Sequence, residues 1–168
     1  MASMSTKAFN TMVEAGAHHQ YMTNTLQINT GRGSFSDIAN MAGIAFTDWS
    51  WASLLVDMDN DGLKDIIISN GIKKDVDNND YRIKVQNLTK NPEEATAEDL
   101  FQLSKDTPSQ PISNFAFRNK GNLEFEKVSE KWGFNALSFS NGMAYGDLDN
   151  DGDLDVIINN IDAPAFVF

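Results

Sequence analysis

The sequence predicts a mainly β fold, built from short antiparallel strands in two copies of one unit, with a short helical insertion between the copies. Three observations predict it. A shift of 90 residues aligns the chain with itself, without a gap, from residue 29 to residue 70. Strand-type apolar runs stand in the same order in both copies. An acidic stretch recurs in register, "DMDNDGLKD" at 57–65 and "DLDNDGDLD" at 147–155.

A chain of 168 residues is long enough for one ordinary domain with a core of its own. Its 41% apolar and 22% charged residues fit a globular chain rather than a disordered one. The formal charge of −11 argues against a nucleic-acid partner, because a phosphate backbone needs a basic face. Nine aspartates sit in the two acidic stretches, so much of the charge is local. The chain has no cysteine, which excludes disulfides, thiolate zinc sites and a thiol nucleophile. No apolar run approaches the roughly eighteen residues of a membrane span, so no membrane insertion is expected. Residues 1–21 form an N-terminal segment whose "MAS" reads as a vector-derived scar. The strand-type run "APAFVF" at the other end leads us to expect a piece of something longer.

The elements follow in order. "TLQIN" and "SFSDI" flank the turn "TGRG" and read as a β-hairpin. "SWASLLVD" leads into the first acidic stretch and "DIIISNG" leads out. A continuous triple isoleucine is what a strand buried on both faces looks like. The first copy occupies residues 22–71. Residues 72–113 have no counterpart in the repeat and read as an insertion. Within it "TAEDLFQLSK" predicts a helix capped by Thr96, with Asp99 three residues on completing a capping box. "NDYRIKVQNL" sets Tyr81, Val85 and Leu88 at helical spacing. The second copy, 114–168, repeats the strand order as "FAFRN", "LEFEKV", "SNGMAYGD" and "DVIINN".

The acidic stretches suit a hard cation that takes six to eight oxygens. Aspartates at positions 1, 3, 5 and 9 are Asp57, Asp59, Asp61 and Asp65, then Asp147, Asp149, Asp151 and Asp155. Through a tight turn, alternate carboxylates can point at one centre, and Gly62 and Gly152 permit the turn. Backbone carbonyls at position 7, Leu63 and Asp153, would add an oxygen each. Calcium (Ca2+) at two sites fits better than magnesium, which prefers few protein ligands and several waters. A soft transition metal finds neither His nor Cys in these loops. An EF-hand, or a dockerin, would end on a bidentate Glu at position 12 between helices, whereas position 12 here is Ile68 or Ile158 inside a strand-like run.

"DxDxDGxxD" between two strands resembles the calcium loop of FG-GAP/VCBS repeats, the blades of integrin-α-type β-propellers. "INTGRGSFSDIANMAGI" and "FRNKGNLEFEKVSEKWGF" are similar to the segment that precedes this loop in bacterial FG-GAP proteins of the ASPIC/UnbV type. The resemblance covers residues 22–71 and 114–168 and implies the eight aspartate ligands named above. It implies a β-propeller of four-stranded antiparallel blades, about two blade equivalents of which are present. In that frame the chain supplies the outer half of one blade, a whole blade carrying the insertion, and the inner half of the next. Further blades are then expected, from a longer chain or by self-association. The resemblance also implies an extracellular or cell-surface location, or a periplasmic one. "NKGNLEF" departs from the pattern in lacking the second turn glycine.

The remaining residues say less. His18 and His19 read as an exposed polar segment. Asp75, Asp77 and Asp80 lack the glycine and following strand of a third site and read as a solvated loop. Trp51 falls in a strand and is expected in the core, while Trp49 and Trp132 are left undecided, with ligand contact the less favoured reading. No nucleophile–base pair stands out, so the sequence points to a binding or adhesion module for a protein or glycan ligand, with structural calcium, rather than an enzyme. Two alternatives stand beside it: a non-catalytic part of a secreted carbohydrate-active enzyme, and a calcium-responsive interaction protein.

Overall fold

The computed structural model describes residues 6–17, 19, 21–90 and 95–168; the "MAS" start and His18 lie outside them. The chain divides into two compact units, one taking the chain up to Met22 together with Lys74–Ser109, the other Thr23–Lys73 with Gln110–Phe168.

The first unit is helical. α1 (Thr6–Glu14) was not anticipated from the sequence. The Phe9 ring leans on His19 at 5.9 Å, and the His19 imidazole stacks on Tyr21. α2 (Asn79–Thr89) starts where the Asn78 side chain accepts the N–H groups of Asp80 and Tyr81. α3 (Ala97–Lys105) carries the capping box expected of Thr96 and Asp99, which satisfies two donors the helix cannot pair internally. No residue of the three helices is buried. Asp75, expected in a solvated loop, is buried instead. Its N–H donates to Pro108 O at 2.8 Å and its carboxylate accepts the Asp77 N–H, which holds it against the chain.

The second unit is β. The hairpin β1 (Gln27–Asn29) and β2 (Phe35–Asp37) turns where the Asn29 side chain accepts the Gly31 N–H at 2.8 Å. β3 (Ser50–Val56) and β4 (Asp65–Asn70) flank the first acidic loop. β5 (Ile112–Ser113) precedes β6 (Phe115–Asn119) and β7 (Phe125–Lys127), which form the second hairpin. β8 (Leu137–Ser138) pairs β5, a two-stranded ribbon with no counterpart in the predicted repeat. β9 (Ser140–Gly146) and β10 (Asp155–Asn160) flank the second acidic loop, and β11 (Phe166–Val167) closes the chain.

Every sheet is antiparallel, and the largest runs β3-β4-β6-β7. It therefore takes two strands from each copy, joined across the insertion. β10 lies between β9 and β11 in a three-stranded sheet. β4 is buried at all six positions, as expected of a strand covered on both faces. Its alternation sends Ile66 and Ile68 into one cluster with Ala39, Ile44 and Phe117. Ile67 goes the other way, into a cluster with Val56, Ala116, Val128, Phe134, Val156 and Ile158. Full burial of one such aliphatic side chain contributes roughly 1.5–3 kcal/mol, so the Ile67 cluster ties the four-stranded sheet to the three-stranded one. Two helical turns repeat as well: Ala42 N–H to Ile38 O and Ile44 N–H to Ala39 O recur as Trp132 to Val128 and Phe134 to Ser129.

One tryptophan differs from expectation. Trp51 is 54% exposed, because the β3 face it occupies is uncovered at that end; its indole N–H donates to Gly71 O at 2.6 Å. Trp132 packs against the Ile67 cluster, and Trp49 is half-buried. Beside Trp51, between the β1 hairpin and β3, opens a groove of about 500 Å³ lined by Leu26, Gln27, Leu55, Ile66 and Ile68.

Candidate metal centre

Each acidic loop spans adjacent strands, so its ends are fixed by ladder pairs: Val56 opposite Asp65, and Gly146 opposite Asp155. Eight residues turn the chain between those anchors. The turn requires left-handed backbone at two places, Asn60 (φ +55°) with Gly62 (φ +86°), and Asn150 (φ +63°) with Gly152 (φ +95°). Asparagine tolerates that region better than other side-chain-bearing residues, which explains "DNDG" in both copies.

The hydrogen bonds inside the loops repeat. Asp57 spreads its two oxygens over the N–H groups of Asp61 (3.1 Å) and Gly62 (2.9 Å); Asp147 does the same for Asp151 (3.2 Å) and Gly152 (3.0 Å). Asp61 accepts the Leu63 N–H, and Asp151 accepts that of Asp153, both at 2.9 Å. With these turns in place, carboxylate oxygens of Asp57, Asp59 and Asp61 lie within 4.8 Å of one another, as do those of Asp147, Asp149 and Asp151. Among the described residues these are the only groups of three such side chains close enough to share one cation. Asp75, Asp77 and Asp80 do not converge in this way.

The aspartates at position 9 are differently engaged. Asp65 accepts the Met58 N–H on one oxygen at 2.9 Å and the Asn119 N–H on the other at 2.8 Å, and is fully buried. Asp155 accepts the Leu148 N–H at 2.8 Å. Both close the loop neck, and neither belongs to the three-carboxylate groups. An accepting carboxylate oxygen retains a second lone pair, so these residues are not barred from a cation. At position 7, the Asp153 side chain accepts the Asn60 amide at 2.6 Å, linking the two loops, while the Leu63 side chain is exposed.

The electrostatics are those of crowded like charges. Burial pushes the Asp65 carboxyl above its ordinary range, against the pull of its two backbone donors, and the charges of Asp59 and Asp61 add to the rise. The charge of Asp151 pushes Asp149 up, with loss of hydration second. A cluster of oxygen-only donors under such repulsion fits a hard divalent cation, and these loops offer nothing softer.

Residues 98–158 match the FG-GAP-like repeat family. The matched repeat runs from α3 into β10 and contains the second acidic loop whole; the first loop is related to it through the internal repeat. No curated protein matches the chain.

The structure also brings residues to the acidic loops that spacing did not reveal. Arg118 on β6 reaches the first loop, its Nε 2.5 Å from Asp59 Oδ2 and a terminal nitrogen 3.1 Å from Asp61 Oδ2. The bond to Asp61 holds the guanidinium charge more firmly still. Asn119 straps the loop neck through Asp65 and through Lys64 O at 3.0 Å. At the opposite end of the strands, Asn114 bridges the Asn70 N–H and the Ser140 hydroxyl, which in turn bonds Asn160. Asn24, one repeat earlier, donates to Thr47 and to Ile44 O. The signal for these asparagines was present in the 90-residue shift, since Asn24 and Asn114 also align.

Proposed function

We propose that this is a calcium-binding repeat module of β-propeller type, in which a cation at each acidic loop clamps two adjacent strands against the repulsion of their own carboxylates. The observation that carries the reading is the duplicated three-carboxylate cluster inside one repeated hydrogen-bond frame. The proposed ligands are Asp57, Asp59, Asp61, Asp65 and the Leu63 carbonyl at the first site. At the second they are Asp147, Asp149, Asp151, Asp155 and the Asp153 carbonyl. Asp65 and Asp155 would serve through lone pairs left over from their backbone bonds. The module's work is binding or adhesion at a cell surface or outside the cell, toward a protein or glycan, where free calcium of about 0.1–1 mM suits sites of this kind. The groove beside Trp51, where the Trp51 and Leu55 side chains are exposed, supports packing of further β-strands there, from additional blades or a second copy.

Thermal melting with calcium and with chelator tests the clamp. A cation held at 100 times its dissociation constant stabilises by about 2.7 kcal/mol per site, so melting should rise by roughly 5 °C or more, and magnesium should do less. Equal melting in calcium and chelator sinks the reading. The exposed Trp51 ring favours one alternative, a non-catalytic part of a secreted carbohydrate-active enzyme. Tryptophan fluorescence that does not respond to soluble oligosaccharides would remove it.

A further inference from the structure

The two loops share a frame but not an electrostatic environment. At the first, both oxygens of Asp57 and one of Asp61 are taken by backbone N–H groups, and the remaining Oδ2 of Asp61, with Oδ2 of Asp59, faces the Arg118 guanidinium. At the second, Asp147, Asp149 and Asp151 accept the same kind of backbone bonds. There, however, no Lys, Arg or His among the described residues pairs with residues 147–155. Arg118 is not part of the repeat; the residue one copy earlier is Ile28.

The register of β6 on β4, Phe117 opposite Ile66, sets Arg118 at the foot of the first loop. The side chains of Arg118, Asp59 and Asp61 are 30%, 25% and 28% exposed, so the contact is partly shielded from water. A guanidinium does not lose its proton in proteins, so its charge is present at every pH of interest. Its Nε nevertheless lies out of line for a hydrogen bond to Asp59, close in charge but poorly aimed. A contact of that kind offsets one of the loop's negative charges yet can be displaced.

We propose that Arg118 is a built-in counter-cation of the first loop, competing with a divalent ion for Asp59 and Asp61, so that the two loops are unequal cation sites. The second loop is the tighter one and depends on metal for its geometry. The first is held without metal and fills only as the guanidinium swings out. This rests on the reading of the loops as cation sites.

Calorimetric titration of the full chain with calcium chloride, repeated by terbium luminescence, tests it. The wild-type chain should show two classes of site, the tight one removed by Asp149→Asn and the weak one by Asp59→Asn. Arg118→Gln should tighten the weak class on the order of tenfold to a hundredfold, the range expected when a unit charge is removed from beside a divalent ion. In chelator the same variant should melt below wild type, and saturating calcium should close that gap. Arg118→Lys keeps the charge and should keep the two classes apart. Two equal sites in the wild-type chain, or a weak class unmoved or weakened by Arg118→Gln, overturns the role of Arg118 and leaves the clamp standing. Calcium bound by neither chain overturns the clamp, and this inference with it. Should Arg118→Gln not fold, the wild-type and Arg118→Lys titrations still decide between unequal and equal sites.

Discussion

Gly71 follows β4 with φ of +112°, and a methyl group built there would stand 2.3 Å from Ser138 O and 3.0 Å from the Phe139 Cα. Both neighbours are backbone, so neither can rotate away. Gly33 also has positive φ, +76°, but open space around it. Gly71→Ala should therefore cost roughly 3 kcal/mol or more, from overpacking together with backbone strain. Gly33→Ala should cost about 1 kcal/mol, from strain alone. Urea melts of the two variants check the contrast; equal losses would mean that the approach of Gly71 to Ser138 does not matter. At this scale the sequence was legible where chemistry is local. The aspartates, the turn glycines and their spacing within nine residues marked the loops in which three carboxylates converge. Arg118 was not legible, since its partner Asp61 lies 57 positions away and only the pairing of β4 with β6 across the insertion brings them together. Trp51 was misplaced because a strand residue is core only if something covers its face, and pattern does not reveal the cover.

At the scale of elements, α3 offers a clean test of a cap. The Thr96 hydroxyl hydrogen-bonds the Asp99 carboxylate at 2.6 Å, and the Thr96 N–H adds a second bond at 2.9 Å. These hold the Asp99 carboxyl below its ordinary value, the side-chain bond being the larger cause. A depressed folded value means the stabilisation is present above the unfolded pKa, near 3.9, and is lost as pH falls through the folded value. Thr96→Ala should cost the helix about 1 kcal/mol and return Asp99 toward ordinary titration. Carboxyl carbon resonances followed from neutral pH to strongly acid measure it directly; an unmoved Asp99 midpoint would discard the cap as the cause. Helix α3 was readable because its cap is a four-residue signal. Strands "FAFRN" and "DVIINN" came out at the predicted bounds because apolar runs ended at turn residues on both sides. α1 carries no such signal at its start, and β5 with β8 are two-residue partners whose pairing depends on chain far away in sequence.

For the molecule as a whole, the question is what the insertion contributes to the β unit. The chain leaves that unit after Lys73 and re-enters at Gln110, and Ile72 and Gln110 exchange both backbone hydrogen bonds, at 3.1 and 2.9 Å. Residues that exchange such bonds in an antiparallel pair have Cα atoms about 5.5 Å apart, a gap a tight turn can bridge. The helices between them bury none of their residues, and the two hydrophobic clusters draw entirely on the other unit. Replacing residues 74–108 by a short Asn-Gly turn should therefore leave the β unit folded. It should even stabilise it, because shortening a loop about tenfold lowers the closure entropy by about 2 kcal/mol. The proposed cation sites should survive too, since Arg118, Asn119 and every loop aspartate lie outside the excised stretch. The check is a melt of the excised chain in chelator and in calcium beside the intact one. A chain that melts as high or higher, with its calcium response kept, makes the insertion a passenger of the fold. That result would free its exposed Leu100, Phe101 and Ile83 for a role other than stability. A chain that fails to fold would instead show that the β unit needs the helices despite the closed pair at their base.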